Sequence, residues 1–545
     1  MLAGWVWCAL PASAQLRPEQ VLVVYDRRIA ESLAVAEYYA GSAKVPGGEG
    51  NLPGVRPGVE VYNLETSGAP PATFFGANID RQMFIDRLRT PIRQALSVNN
   101  RWATIRCIVM TKGLPHRLLD STTLFIGDQP GNLAAAWQAG NLTCASVDNE
   151  LTLLWQNLET GEAGGAGDSK ADGAILNPYF RRTLPFDGWP TRFIQSTKNF
   201  LAASTTPATG AGMYWSALVS NILTVPAATH TTPGDMYLVC RLDGHTVADV
   251  RAMIDRAQNL VYDVATATAV IDESGSNGTA DSARNGEFDN QGVDEVCGGD
   301  DYEQTRDALT ADGRFRRGPA NTPPAVVYDA LGGAANFCVG PLIAYNGEGR
   351  LVSTPVVLIT HFGNNHQAPL PGQGAGSQPP AGSSYAQSFV LAPGAVFNSM
   401  ESYNCRNFGG LGGYLGQQQA ADFLAAGGTF AVGDVFEPLA AHVPDSLMLA
   451  RNFLLGNLSW AEAAWSAIPV LSWQGIVLGD PLARPTRTSE DRDGNGRIGV
   501  DDLYSFVAAP ADLNNSGGVT GADRQFVEDA VRIGERAGTK GRQRP

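Results

Sequence analysis

The chain has 545 residues, which is too long for one compact core and suggests two to four domains. With 44% hydrophobic and 17% charged residues the composition is that of a globular protein, and 62 glycines with 33 prolines indicate many turns and loops. A formal net charge of −15 argues against nucleic acid or an anionic membrane as the partner.

The first residues are apolar and end on Ala12-Ser13-Ala14, a small-x-small pattern that is typical of signal-peptide cleavage sites. The usual basic residues are missing and the apolar part is short, so either the true start codon lies upstream or the segment is not a signal. We interpret residues 1–14 as a truncated signal peptide, with Gln15 opening the mature chain. No other stretch has the roughly 18 apolar residues that a membrane span needs. The sequence therefore predicts a secreted protein, extracellular or at the cell surface, with no membrane span.

Residues 20–485 alternate strand-like apolar runs with helical patterns, which favours an α/β fold with a mostly parallel sheet flanked by helices. The predicted strands are Val21–Tyr25, Val59–Tyr62, Ile105–Thr111, Met236–Cys240, Val356–Thr360, Ala395–Ser399 and Thr429–Val432. The predicted helices cover about 30–41, 79–97, 246–262, 417–426 and 460–466.

The helix predicted to start at Thr246 has the clearest signals. Thr246 suits the N-cap and Asp249 stands at the third helical position, which together form a capping box. The apolar face is predicted to comprise Val247, Val250, Ile254, Ala257 and Val261. Two stretches rich in Gly, Pro, Ser and Asp, 272–301 and 367–384, are predicted to be loops.

Seven cysteines occur, of which Cys8 would leave with the signal peptide. Cys107 and Cys240 lie in apolar runs and are predicted to be core residues. No CxxC pair indicates a zinc ribbon, and the six remaining cysteines allow one or two disulfides whose pairing the sequence does not fix.

Several landmarks follow one another along the large region. They are VLVVYDRRIAESLAVAEYYA, IRCIVMTKGLPHRL, CASVDNELTLL, DMYLVCRLDGHTVADVRAMIDRAQ, VVLITHFGNNH, GAVFNSMESYNC, AADFLAAGGTFAVGDVFEPL and LSWQGIVLGDPLARP. In this order they resemble an uncharacterised planctomycete-type family of secreted bacterial proteins, over nearly all of 20–485. More distantly, the order is similar to gingipain-type cysteine peptidases. This resemblance implies a caspase-like α/β domain over 15–486.

The same resemblance implies a catalytic pair, His361 after one strand and Cys405 after the next. A cysteine thiolate would attack a carbonyl while the imidazole acts as acid and base, and the backbone N–H of Gly363 would stabilise the oxyanion. The sequence departs from the peptidases at Phe362, where they have Gly, and in the residues 400–404 that separate the strand from Cys405. The tightest superposition puts Glu401 or Ser402 at the position of the nucleophile. A caspase-like scaffold that has lost the pair is the competing interpretation.

Other polar residues follow predicted strands, where ligands of open α/β sheets collect. They are His116, Arg117, Arg241, Asp243, Asp434 and Glu437, together with Asn364, Asn365 and His366 on the loop of His361. A metal site from His361, His366 and Glu401 lacks the helical spacing of HExxH. Asp148 and Glu150 form a glycosidase pair only if the fold separates them by several ångströms.

Two stretches near the C-terminus, DRDGNGRIGVDD and DLNNSGGVTGAD, repeat the twelve-residue pattern of a calcium loop, with Gly496 and Gly517 at the bend. The ligands predicted for the first loop are Asp491, Asp493, Asn495, the carbonyl of Arg497 and Asp502, with a water at the position of Gly499. The ligands predicted for the second loop are Asp512, Asn514, Ser516, the carbonyl of Gly518, Thr520 and Asp523. The cofactor predicted for both loops is Ca²⁺.

Apolar residues accompany both loops. Position 8 of each loop, Ile498 and Val519, is predicted to join the two loops through apolar contact. Each loop is followed by a predicted amphipathic helix, and the apolar residues of these helices are Leu503, Phe506 and Val507 in the first and Phe526, Val527 and Val531 in the second.

Two such loops in tandem, each with Asp at position 12, resemble type I dockerin modules. This resemblance implies a small all-α, EF-hand-like calcium module over 487–535, a cohesin-like or cell-surface partner, and folding that depends on calcium. Residues 536–545 are basic and Gly-containing, and are predicted to be disordered.

Three functions compete at this level. The first is a secreted calcium-binding protein whose large domain is non-catalytic and serves extracellular binding or assembly. The second is an active cysteine peptidase that uses His361 and Cys405. The third is a dockerin-bearing enzyme that degrades polysaccharides.

Overall fold

The architecture comes from a computed structural model. It describes residues 16–70, 78–119, 144–156, 175–188, 190, 232–258, 260–263, 266–272, 302–317, 320–329, 338–343, 350–361, 384–399, 403–409, 419–436, 443–456, 458–487, 489–495, 498–514 and 516–538. The two predicted loops, 272–301 and 367–384, lie almost wholly outside these residues, as do residues 1–14 and 539–545.

A ten-stranded, mostly parallel sheet forms the centre of the α/β fold. Its strands are β1 Val21–Tyr25, β2 Glu60–Asn63, β3 Cys107–Thr111, β4 Leu238–Leu242, β5 Thr268–Asp272, β6 Val326–Asp329, β7 Val356–His361, β8 Leu391–Ser399, β9 Phe430–Asp434 and β10 Gly475–Leu478. All seven predicted strands are confirmed within a few residues, and the sequence analysis missed β5, β6 and β10.

The sheet consists of two parallel halves that run in opposite directions. The strand order is β6-β5-β7-β8-β9 in one half and β10-β4-β3-β1-β2 in the other. All pairs are parallel except β9 with β10, where Asp434 faces Gly475 and Ala431 faces Leu478. If the strands of each half are numbered in chain order, both halves have the order 2-1-3-4-5. This holds because β10, at the end of the domain, joins the half that contains β1 to β4. The carboxyl ends of the two halves therefore lie at opposite edges of the sheet.

Helices cover the sheet and fill the connections. They are α1 Ala30–Ala40, α2 Arg81–Phe84, α3 Thr90–Ser97, α4 Val147–Thr152, α5 Val247–Arg256, α6 Tyr302–Ala311, α7 Ala420–Ala425, α8 Ser446–Leu449, α9 Trp460–Ala467, α10 Val500–Ala508 and α11 Gly521–Gly538. The five helices predicted in the large domain are all present. None of the helices within the described residues has the length and hydrophobicity that crossing a bilayer requires.

The capping box predicted at Thr246 is confirmed. The hydroxyl of Thr246 accepts a hydrogen bond from the N–H of Asp249 at 3.1 Å, and the Asp249 carboxylate accepts one from the N–H of Thr246 at 3.0 Å. The predicted end of the helix is wrong, because α5 ends at Arg256 and Val261 lies beyond it with 48% of its surface exposed. Val261 instead belongs to a two-residue strand that pairs with Thr486–Arg487.

The core is apolar on both faces of the sheet, and β1, β3, β4, β5 and β7 are buried at every position. Cys107 and Cys240 are fully buried within it, as predicted, and the thiols of Cys107, Cys240, Cys338 and Cys405 are all free. Asp480, which follows β10, accepts hydrogen bonds from the Tyr39 hydroxyl at 2.6 Å and from Arg56 at 2.8 and 2.9 Å. The returning strand is thereby tied to the first helix of the chain.

Candidate functional site

His361 is the last residue of β7 and is fully buried. Its ring lies 5.6 Å from the ring of Tyr385 and 5.4 Å from that of Phe397, measured between centroids. Its backbone carbonyl accepts a hydrogen bond of 2.8 Å from the Tyr302 hydroxyl. The imidazole therefore stands among aromatic side chains in the domain interior.

Cys405 lies in a turn over β9 and is also fully buried. Its N–H donates a hydrogen bond of 2.9 Å to the carbonyl of Asp434. Gly433 is needed beneath it, because a β-carbon there would lie 2.9 Å from the Cys405 sulfur and 2.2 Å from the side-chain oxygen of Asn404. Burial raises the pKa of the thiol well above its usual value, and the carboxylates of Asp434 and Asp148 raise it further. The cysteine is accordingly held as a neutral thiol.

His361 lies at the end of β7, whereas Cys405 lies in the turn over β9, two strands away in the sheet. His361 pairs with Ser399 of β8, and Phe397 of β8 pairs with Ala431 of β9. Continuing this register puts Gly433 opposite Ser399, so the strand of the histidine and the strand beneath the cysteine are about 10 Å apart. Ser399 stands between them.

A fully buried ion pair lies next to this turn. Arg241 of β4 donates hydrogen bonds of 2.6 and 2.9 Å to the two carboxylate oxygens of Asp148 on α4. It also donates to the carbonyls of Leu114 at 3.0 Å and Pro115 at 2.8 Å. Because burial removes both charges from water, such a pair is tolerated only with well-placed additional partners, which these carbonyls provide.

Basic residues after β3 hold the turn in place. The Lys112 ammonium donates to the carbonyls of Gly244 at 2.7 Å and Phe408 at 3.2 Å, and lies 3.5 Å from the Asp243 carboxylate. His116 Nε2 is 3.0 Å from the carbonyl of Arg406, to which it donates. Lys112 was missed by the sequence analysis, although a lysine directly after a buried strand is a signal of a paired internal charge.

Burial sets the protonation of these groups. It lowers the pKa of His116 well below the ordinary value of 6.5, and the positive charges of Arg241, Arg117 and Arg406 lower it further. Burial also raises the pKa of the Asp243 carboxyl, although Lys112 and Arg241 oppose that rise. His116 is therefore neutral at physiological pH.

The polar residues that follow strands do not all lie at the same edge of the sheet. Arg241 and Asp243 belong to the half that contains β4, and Asp434 belongs to the half that contains β9. Because β9 and β10 are antiparallel, the carboxyl ends of these strands point in opposite directions. Asp148 and Glu150 are also occupied, by Arg241 and by the hydroxyl of Ser472. Several predicted candidates lie outside the described residues, namely Gly363, Asn364, Asn365, His366, Glu401, Ser402 and Glu437.

The first predicted calcium loop curls around Asp502. One carboxylate oxygen of Asp502 accepts the N–H of Arg492 at 2.7 Å and that of Asp493 at 3.3 Å, and the other accepts the N–H of Gly499 at 2.7 Å. Carboxylate oxygens of Asp491, Asp493 and Asp502 lie within 4.8 Å of one another. Burial raises the pKa of Asp502, as does the nearby Asp493, although the three N–H groups oppose the rise.

Asn495 makes further hydrogen bonds within the first loop. Its N–H donates to the carboxylate of Asp491 at 3.1 Å and to that of Asp493 at 3.0 Å. Gly496 and Arg497 lie outside the described residues.

The second loop repeats this arrangement around Asp523. Its carboxylate accepts the N–H groups of Leu513, Asn514 and Thr520 at 2.7, 2.9 and 2.7 Å. Burial alone would raise the pKa of Asp523, but the hydrogen bonds outweigh it and lower the pKa below the ordinary value.

In the second loop, as in the first, backbone N–H groups also donate to the side chains at positions 1 and 3. The Ser516 N–H donates to Asp512 and to Asn514 at 3.0 Å each, and the Gly517 N–H donates to Asp512 at 2.7 Å. The predicted carbonyl ligand of Gly518 accepts from the Ser516 hydroxyl at 3.3 Å.

The helices that follow the loops pack together. The shared core consists of Phe506, Leu513, Val527 and Val531, with Ile498, Leu503, Ala511 and Phe526 packed against it. Two expectations are wrong, because Val519 is 53% exposed and Val507 is 57% exposed. The first loop thus contributes Ile498 to this core, and the second loop contributes Leu513 instead of Val519.

Comparison with protein-family models, with curated proteins and with solved structures found no match.

Proposed function

We propose that this protein is a secreted calcium-binding protein whose α/β domain is non-catalytic and serves extracellular binding or assembly. The observation that carries the proposal is the repeated loop. Two segments, 21 residues apart, fold each around a buried position-12 aspartate that accepts three backbone N–H groups. Export rests on the sequence pattern that ends at Ala14.

The donor set fits Ca²⁺, a hard cation that takes six to eight oxygen ligands on a sharply bent loop. Carboxylates of Asp491, Asp493 and Asp502 already converge in the first loop. In the second loop Gly517 has a φ of 101°, a conformation that only glycine adopts readily, and it forms the bend. A bound cation would offset the repulsion among the clustered carboxylates.

An exposed apolar stripe on α10 favours a docking role for this calcium module. Val500, Tyr504 and Val507 recur at intervals of three and four residues, and are 41%, 67% and 57% exposed. Tandem loops with such a helix resemble type I dockerins, so the partner we propose for this stripe is a cohesin-like or cell-surface protein.

A non-catalytic α/β domain is supported by the state of the cysteine. A nucleophilic cysteine needs a lowered pKa and access to solvent, whereas Cys405 is fully buried with a raised pKa. The caspase-like fold that the sequence suggests stands as a scaffold in this proposal.

Isothermal titration of the full chain with Ca²⁺ tests the proposal. We expect two ions per chain for the wild type and one ion each for Asp502→Asn and Asp523→Asn, because each substitution weakens the position-12 ligand of one loop. Asp501→Asn is the matched control, since Asp501 is exposed and adjacent to Asp502 but is not one of the predicted ligands. Absence of calcium binding, or equal binding by the wild type and both position-12 variants, would contradict the proposal.

A further inference from the structure

The segment that joins the α/β domain to the calcium loops is buried. Thr486–Arg487 pairs as a strand with Val261–Tyr262. Arg487 and Glu490 are each 1% exposed and form an ion pair, and Arg487 also donates to the carbonyl of Gly456 at 2.6 Å. Asp491, the first predicted calcium ligand, follows directly. The loops thus start from a fixed point on the domain surface.

Arg314 of the α/β domain contacts both the connecting segment and the calcium module. Its guanidinium holds Asp312 at 2.7 Å, donates to the carbonyl of Leu455 at 3.1 Å and donates to Glu490 at 3.0 Å. The same group lies over the ring of Phe526 on α11, 5.4 Å from its centroid. One side chain therefore joins the α/β domain, the connecting segment and the second helix of the module.

The second loop itself contacts the α/β domain. Gly313 lies against Asn514, the predicted ligand at position 3 of the second loop. A β-carbon at Gly313 would lie 2.7 Å from the β-carbon of Asn514 and 2.9 Å from its carbonyl oxygen. The approach is close enough that any larger side chain at position 313 would push the loop away.

The two halves of the module are not equivalent in this contact. The position in the first repeat that corresponds to Phe526 is Ser505, 21 residues earlier. A cavity of about 560 Å³ lies beside the contact and is lined from both sides, by Leu455 and Arg487 of the domain and by Phe526 and Ala530 of α11. The second repeat faces the α/β domain, whereas the apolar stripe of α10 faces solvent.

From these contacts we infer that the partner of the second repeat is the α/β domain of the same chain, and that calcium binding by the second loop stabilises that domain. This inference rests on the proposed calcium function. Cation binding orders the loop that positions Asn514 and the start of α11, and a ligand that binds only the folded state raises its stability. A second protein would then have access to α10 but not to the docked face of α11.

Tryptophan fluorescence isolates the response of the α/β domain, because no tryptophan follows Trp473. Trp460, Trp465 and Trp473 are fully buried in that domain. We expect the melting temperature of the full chain, followed by this fluorescence, to rise by about 5 °C between EDTA and saturating Ca²⁺. Asp523→Asn should lose most of this rise.

Two substitutions on the domain side separate docking from calcium binding. Arg314→Ala and Gly313→Val should abolish the calcium-dependent rise while calorimetry still shows two ions per chain. Arg524→Ala is the matched control, since Arg524 is exposed on α11 and forms an ion pair with Glu528 of the same helix. It should retain the full rise.

Three results would overturn the inference. If calcium binds but the tryptophan transition does not move, the module is a separate unit and only this inference fails. If both docking variants keep the full rise, the contacts of Arg314 and Gly313 do not couple the loops to the domain. If no calcium binds, the proposed function fails together with it.

Discussion

At the scale of single residues, burial decides which chemistry each polar group can perform. The Cys405 thiol and the His361 ring are both fully buried, one in a turn over β9 and the other among aromatic rings. The ion pair of Arg241 with Asp148 is held by further hydrogen bonds to carbonyls. Lys112 and His116 hold the turn that contains Cys405 through hydrogen bonds to the carbonyls of Phe408 and Arg406.

His116 gives a prediction about pH. Its pKa in the folded chain is well below the ordinary 6.5 because burial and nearby arginines disfavour the charged form. As pH falls below about 6.5, the unfolded chain takes up a proton that the folded chain does not, so the free energy of unfolding decreases. The loss attributable to this residue approaches about 1.4 kcal/mol per pH unit until the folded-state pKa is reached.

His116→Gln removes this titration, and its amide can still donate to the carbonyl of Arg406. We expect the free energy of unfolding of the variant, measured by urea denaturation, to fall less steeply between pH 6.5 and pH 5 than that of the wild type. Equal slopes for the two proteins would show that His116 titrates alike in both states.

At the scale of elements, the capping box of α5 gives a prediction about stability. Thr246→Ala removes the hydroxyl that accepts the N–H of Asp249, a hydrogen bond of 3.1 Å at the exposed start of the helix. We expect a loss of about 1 kcal/mol in the free energy of unfolding, measured by urea denaturation. Thr266→Ala is the control, since Thr266 is exposed in a turn, and it should change stability by less than about 0.5 kcal/mol. A loss at Thr246 as small as that at Thr266 would contradict the capping role.

The elements that the sequence predicted are those with long apolar runs or clear caps. β1 and β7 are runs of branched residues, and α5 has its capping box. The missed strands lack such signals. β6 is only four residues long and follows two prolines, and β10 is a short apolar run that opens on a glycine. Such short runs acquire their strand structure from neighbouring strands in the folded sheet.

The candidate sites were predictable to different degrees. The spacing of the two predicted calcium loops identified Asp502 and Asp523, and the structure shows both as buried carboxylates that close their loops. The burial of Cys405 and the contact of Arg314 with Phe526 could not be read from the sequence. Both depend on contacts between residues that are distant in the chain, and a local sequence pattern does not show such contacts.

At the scale of the whole molecule, the two halves of the sheet run in opposite directions. This explains why the polar residues that follow strands do not all lie at one edge of the sheet. A sequence that alternates strands and helices predicts parallel neighbours, but it does not show that β10 returns beside β4 and meets β9 antiparallel. The connection after β10 then leads directly into the predicted calcium loops through Arg487 and Glu490. The closing strand of the sheet and the proposed calcium module are thus consecutive parts of one structure.

The most direct test is a thiol-directed acyl-arginine or acyl-lysine probe, applied to the full chain with saturating Ca²⁺ and with EDTA, with labelled residues mapped by mass spectrometry. We expect no labelling of Cys405 in the folded, calcium-loaded protein, because the thiol is buried and its pKa is raised. Labelling of unfolded protein provides the positive control. Labelling of Cys405 in the folded chain that disappears in His361→Ala would contradict a non-catalytic domain and identify the protein as a cysteine peptidase.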